Sequence, residues 1–118
     1  MVRGQTVRDS AIHQNESLIR KTIDELIRKE YTMKFRREAN CLYCFDLNQW
    51  ILPADFTIDE YFYFEELIHP DADRMLFAIS LPQGQKGWLV DSCNVYADNI
   101  SSDMMEKFKF QNLVYEEL

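Results

Sequence analysis

Three short aromatic-rich runs between Pro53 and Asp98 constrain this chain more than any other feature. Phe56–Phe64, Met75–Ser80 and Gly87–Asp91 carry the aromatic and branched residues that suit a pleated, half-buried surface, and they follow one another closely enough for a meander. The first run alternates. Phe56, Ile58, Phe62 and Phe64 are expected on a core face that Glu60 interrupts, with Thr57, Asp59, Tyr61, Tyr63 and Glu65 toward solvent. A carboxylate on a core face needs a cation such as an arginine, or a place near the open end of the sheet. Met75–Ser80 is apolar on both sides, which places it centrally, and Pro82-Gln83-Gly84-Gln85 is the turn into the third run.

Upstream, Ile19, Ile23, Leu26 and Ile27 recur at helical spacing, so a helix is expected from Glu16 to Lys29 with Asn15 or Ser17 as its cap. Glu16–Arg20, Asp24–Arg28 and Glu25–Lys29 lie four apart in the favourable order and read as an exposed, self-paired face. Tyr31, Met33 and Phe35 alternate with Thr32, Lys34 and Arg36, a half-buried strand, and Cys41–Phe45 reads as a second short one ending near Asp46–Gln49. Pro53 and Asp55 mark a turn, and His69–Asp73 a loop. Ser101 or Ser102 caps a last helix with Met104, Met105 and Phe108 inward, and residues 111–118 are an acidic tail or short strand. The expected fold is α+β: an N-terminal helix, a four- or five-stranded mainly antiparallel meander, and a C-terminal helix on one face. Residues 1–14 form a flexible lead-in to a single domain over residues 15–118.

Charge divides unevenly. Residues 1–40 hold nine Lys or Arg against six Asp or Glu, whereas residues 41–118 hold four against fourteen, for a total of −7. So acidic a surface repels phosphate backbones, and no nucleic-acid partner is expected. It serves either as a solubilising face, as a docking face for a basic partner, or as a mimic of nucleic-acid charge. With 47% hydrophobic residues in 118 positions the chain can bury a single core, and no apolar run is long enough to span a bilayer. The polar start Met1–Asp9 lacks the apolar stretch of a signal peptide, and three cysteines are an odd number, so reduced thiols and a cytoplasmic location are expected.

From about Ile23 to Phe110 the chain carries Tyr31-Thr-x-x-Phe35, Cys41-Leu-Tyr-Cys44, Asp55-Phe-x-Ile-Asp59, Phe64-Glu65, Pro70-Asp71, Phe77-Ala-Ile-Ser80, Lys86-Gly-x-Leu-Val-Asp91 and Val95-Tyr-Ala-Asp98. In these it resembles a group of small bacterial proteins often labelled phosphoribosylpyrophosphate synthetase. The resemblance implies no catalytic residue and no cofactor for this chain. The labelled activity does not fit the residues. Holding ATP, Mg²⁺ and ribose phosphate takes a phosphate loop at a strand–helix junction, and no Gly-rich loop or Walker-type lysine is present.

The remaining candidates for chemistry are few. Cys41-x-x-Cys44 suggests half a metal site, but residues three apart on a strand point to opposite faces, and no second such pair exists; buried structural thiols are the expectation and no metal is assigned. His13 and His69 offer no evident base for a nucleophile. Asp71-x-Asp73 lacks the later acid and glycine of a calcium loop. Asp59, Glu60, Asp91 and Asp98, with Tyr96 beside the last, are the binding candidates if they crowd one end of the sheet; otherwise they are ordinary turn and cap carboxylates. Tyr61 and Tyr63, beside Trp88, would make a stacking platform unless a second layer covers them.

A small binding or regulatory domain without catalytic residues is therefore the expectation, as a monomer or homodimer with a protein or small-molecule partner and neither membrane nor nucleic acid. The alternatives are a small enzyme using the carboxylates at one sheet end, and an acidic protein that docks on a basic target.

Overall fold

The computed structural model describes residues 3–7, 15–65, 73–92 and 100–108. Seven strands build one mixed sheet: β1 (Arg3–Val7), β2 (Met33–Arg37), β3 (Leu42–Cys44), β4 (Gln49–Ile51), β5 (Thr57–Phe64), β6 (Arg74–Ser80) and β7 (Lys86–Ser92). Helix α1 spans Asn15–Arg28, a 3₁₀ turn spans Pro53–Asp55, and the short α2 spans Ser102–Lys107. The order across the sheet is β1-β5-β6-β7-β2-β3-β4, with β1/β5 and β2/β7 parallel and the other four pairs antiparallel.

This overturns the expected four- or five-stranded antiparallel meander. Two strands were not legible, and both are edges. Within the stretch read as a flexible lead-in, Arg3–Val7 pairs along β5 from Arg3↔Glu60 to Val7↔Phe64. Gly4 matters there, because a Cβ would fall 2.0 Å from the Tyr61 ring that lies across it. At the other edge, β4 is three residues long and closes a hairpin on β3 through Phe45–Asn48, where Asn48 takes a left-handed conformation (φ 50°) suited to a tight turn.

Each face of the sheet has its own apolar layer. Ile19 and Leu26 of α1 pack on Phe62, Phe64, Leu76 and Ala78, with Trp88 and Val90 half-buried at the margin. The same helix exposes Ile27, which the apolar spacing had placed with the core. It ends in a paired reverse turn, Tyr31 N–H to Leu26 C=O and Glu30 N–H to Ile27 C=O, with Glu30 left-handed at φ 73°. On the opposite face Met104 and Phe108 cover Phe56 and Phe77, the Phe77 and Phe108 rings meeting edge-on at 5.0 Å. Ser101 caps α2 by accepting from Met104 N–H, and Met105 turns outward, contrary to the sequence reading.

The phase of β5 changes along its length. Ile58 pairs with Ile79 and Glu60 with Ala78, so Asp59 is an extra residue, a β-bulge. Before it, even positions face α2. After it, Tyr61 and Tyr63 face that layer and Glu60, Phe62 and Phe64 face α1. Tyr63 is therefore fully buried rather than solvent-facing. The segments with His13, His69, Cys93, Tyr96, Asp98 and residues 111–118 lie outside the described residues.

The halves of the sheet meet where β2 runs parallel to β7, in register over Met33↔Gly87 and Lys34↔Trp88. A Cβ at Gly87 would stand 2.3 Å from the Met33 carbonyl oxygen and 2.5 Å from the Phe35 ring. Gly87→Ala is expected to cost about 1–3 kcal/mol as an overpacked contact, read as a lower denaturant midpoint, with amide shifts concentrated in β2–β4.

Candidate functional site

The carboxylates singled out in the sequence do not gather. Asp59, in the bulge, accepts hydrogen bonds from the Tyr31 hydroxyl at 2.8 Å and the Ser80 hydroxyl at 3.0 Å. Glu60 faces the α1 layer and lies 3.8 Å from the Arg3 guanidinium, the cationic partner that a core-facing carboxylate requires. Asp91 is in register with Met75, which is in register with Tyr63, so it belongs to the α2 face. There it forms an ion pair with Arg37, both side chains largely buried. Glu60 and Asp91 thus sit on opposite faces, two strands apart and three residues along the sheet, or roughly 14 Å at standard strand spacings. Tyr96 and Asp98 lie outside the described residues, among which no cluster of His, Cys, Asp and Glu could hold a metal.

Burial and the Asp59 hydrogen bond push the Tyr31 phenol up to about 12, with the Asp59 and Glu60 charges adding and Arg3 opposing. The Lys86 ammonium stands 4.4 Å from the centre of its ring. This cluster ties the end of α1 to the bulge. Its tyrosine stays protonated at neutral pH and has no basic character. The cysteines are equally quiet. Cys44 is buried with its Sγ 3.8 Å from the Met33 sulfur, and both described cysteines are free thiols. Burial pushes the Cys41 thiol up, with the Glu38 charge adding to it, which disfavours the reactive thiolate.

A different constellation forms where α1 stops short of the β2–β4 side of the sheet. Lys34 and Arg36 project from β2 on this face, Tyr43 from β3, with Phe45 just beyond it, and Trp50 from β4. The Lys34 ammonium lies 5.6 Å from the centre of the Phe45 ring and 5.7 Å from that of Trp88. The Arg36 guanidinium is 5.2 Å from the Tyr43 ring and 5.4 Å from Phe45. Tyr43 in turn meets Trp50 at 4.8 Å and Phe45 edge-on at 5.2 Å. The two cations of β2 lie between the rings of β7 and those of β3 and its turn, each attracted by the negative face of a ring, and Trp50 of β4 extends the row by ring-to-ring contact.

Between this ladder and α1 runs an open groove of about 690 Å³. Ile19, Ile23, Trp88 and Val90 make its apolar lining, and the charged lining comprises Arg20, Lys34, Arg36 and Arg74 against Glu16 and Asp24. The groove carries a local excess of two positive charges in a chain of net charge −7. The Glu16 carboxylate pairs with Arg74 at 2.5 Å instead of with Arg20 on its own helix, so Arg20 is left lining the groove. Arg36 pairs with Glu38 beside it.

The sequence leaves Tyr61, Tyr63 and Trp88 as either an aromatic platform or rings covered by a second layer, with cover the preferred reading, and Tyr63 is covered. The bulge sends the two tyrosines to the other face, where the Tyr63 hydroxyl donates to the buried Asp73 carboxylate. Trp88 joins Lys34 and Phe45 instead. The available signal was the alternation that puts Lys34 and Arg36 on one side of their strand; which rings they would meet depended on the β2–β7 pairing.

Two outcomes separate these roles. The Tyr31 phenolate band is expected to rise near pH 12 in wild type and at lower pH in Asp59→Asn, as judged from ultraviolet titration against Tyr31→Phe. Because the folded-state value is the higher one, this tyrosine's contribution to stability is complete below about pH 10 and is lost as pH climbs toward about 12. Asp91→Ala, which takes a carboxylate partner away from the buried Arg37 guanidinium, is expected to cost about 3–5 kcal/mol in denaturant unfolding. A loss within about 0.5 kcal/mol would make Asp91 a surface group rather than a structural one. Comparison with protein families, curated proteins and solved structures finds no match for this chain.

Proposed function

We propose that this chain, as one of the small bacterial group it resembles, is a non-catalytic binding module. Its ligand would be an anionic group on a flat apolar body, presented by a small molecule or a protein side chain and held in the groove between α1 and strands β2, β3 and β7. The observation that carries this reading is the Lys34 ammonium between the rings of Phe45 and Trp88. A cation so placed offers an anion a charged donor, while the adjoining indole offers stacking area. Arg20 supplies a second positive charge from the facing wall.

The enzymatic alternative loses its main support, because the carboxylates do not converge: Glu60 and Asp91 lie on opposite faces, two strands and three residues apart. Nucleic acid stays outside the proposal, since Glu16, Asp24, Glu38 and Asp46 fringe the groove and would meet any run of phosphates. Among the described residues no helix is long and apolar enough to cross a membrane. The free thiols of Cys41 and Cys44 support a cytoplasmic setting.

Titration with phenyl phosphate and benzoate, followed by amide and indole NMR shifts, tests the reading. Shifts are expected at Lys34, Phe45 and Trp88, with affinity falling about tenfold in Lys34→Met, the equivalent of about 1.4 kcal/mol. Benzylamine, a cation of similar shape, should bind more weakly. Equal responses to the anions and the cation, or shifts elsewhere on the surface, would sink the proposal.

A further inference from the structure

We propose that the outer edge of β4 is a self-association surface, where a second copy of this chain pairs through the same edge about a two-fold axis. Six large hydrophobic side chains are exposed among the described residues, and four of them, Phe45, Leu47, Trp50 and Leu52, fall within eight positions. Trp50 is 61% and Leu52 59% exposed. β4 ends the sheet, so one side of its backbone has no strand neighbour among the described residues. Soluble proteins blunt such edges with charge, proline or a bulge. Gln49-Trp50-Ile51 has none of these, and only its length of three residues blunts it.

Charge selects the occupant. From Leu47 to Ala54 no residue is ionisable, in a chain of net charge −7. Two copies repel wherever their acids face one another, and this uncharged rim is where contact between them costs least. Within this segment itself a basic partner would find no carboxylate; Asp46 and Asp55 only bracket it. Antiparallel pairing would also continue the ring stack, from Tyr43 to Trp50 in one copy and on to the same pair in the next. A contact that uses the same patch on both sides closes at a dimer.

The dimer is a weak one. With an aromatic side chain offering about 150–250 Å², the four exposed side chains supply roughly 400 Å² per copy, about half of a standard interface. Salt strengthens it by screening the repulsion between the two like-charged chains. A contact built on opposite charges would respond to salt in the reverse sense.

Sedimentation equilibrium of the full chain from ~10 µM to ~1 mM, at low and high salt, tests the proposal across the range expected for so small an interface. Expected are a monomer–dimer equilibrium with no larger species, a dissociation constant several-fold lower at high salt, and at least tenfold weaker association in Trp50→Lys. Met105→Lys, on the exposed side of α2, should associate like wild type. Should Trp50→Lys lose the native circular dichroism spectrum, Leu52→Lys takes its place. A monomer throughout, a dimer that weakens with salt, mass that grows past the dimer, or association indifferent to the folded edge variants would each overturn it.

Discussion

The close approach of β2 to β7 at Gly87 is the constraint on which the rest of the structure depends. It joins an antiparallel unit, β5–β6–β7 with β1 alongside, to a second one, β2–β3–β4. The two strands are in register over two residue pairs. Farther along, the Arg37–Asp91 ion pair spans them on the α2 face. On the α1 face the same region forms the floor of the groove, with Lys34 from one strand and Trp88 and Val90 from the other. A side chain at position 87 would push these strands apart at their closest point. The groove's shape and the cation's place between two rings follow from that contact.

Charge is handled differently on the two faces. On the α2 side, Arg37 with Asp91 and Tyr63 with Asp73 are polar groups taken out of water together with their partners, as burial demands. On the α1 side, Lys34 and Arg36 remain exposed and rest on aromatic rings. The first arrangement is costly to disturb and poorly placed to meet a ligand. The second leaves donors accessible to solvent, which is why the binding reading rests there.

The legible parts of this chain were those set by local periodicity. The helical spacing of Ile19 and Leu26, the apolar run Met75–Ser80 and the turn at Gly84 each declare themselves within a few residues, and each appears in the structure as an element. The parts that were not legible depend on neighbours far away in sequence. Arg3–Val7 is polar and contains a glycine, so only its pairing with β5 makes it a strand. Gln49–Ile51 is too short to display alternation. Asp59 and Glu60 could be recognised as carboxylates in an apolar run, but the bulge that sorts the residues around them is a property of the β5–β6 pairing. The candidate site suffered most from this. Its cations were visible on their strand, whereas the rings beside them come from β7, from β3 and from the turn just beyond β3.

The bulge also bears on how this fold could vary between sequences. Because Asp59 shifts the phase of β5, the strand's two parts report to different layers: Ile58 to one, Phe62 and Phe64 to the other. Loss of that one residue would remove the bulge and leave Ile58 and Glu60 as ordinary alternating neighbours, still opposite Ile79 and Ala78 and still in their own layers. What would go is the carboxylate that accepts from Tyr31 and Ser80. A residue lost anywhere else in β5 would shift the phase and send one layer's side chains into the other, so length is negotiable at the bulge before it is negotiable in the rest of the strand.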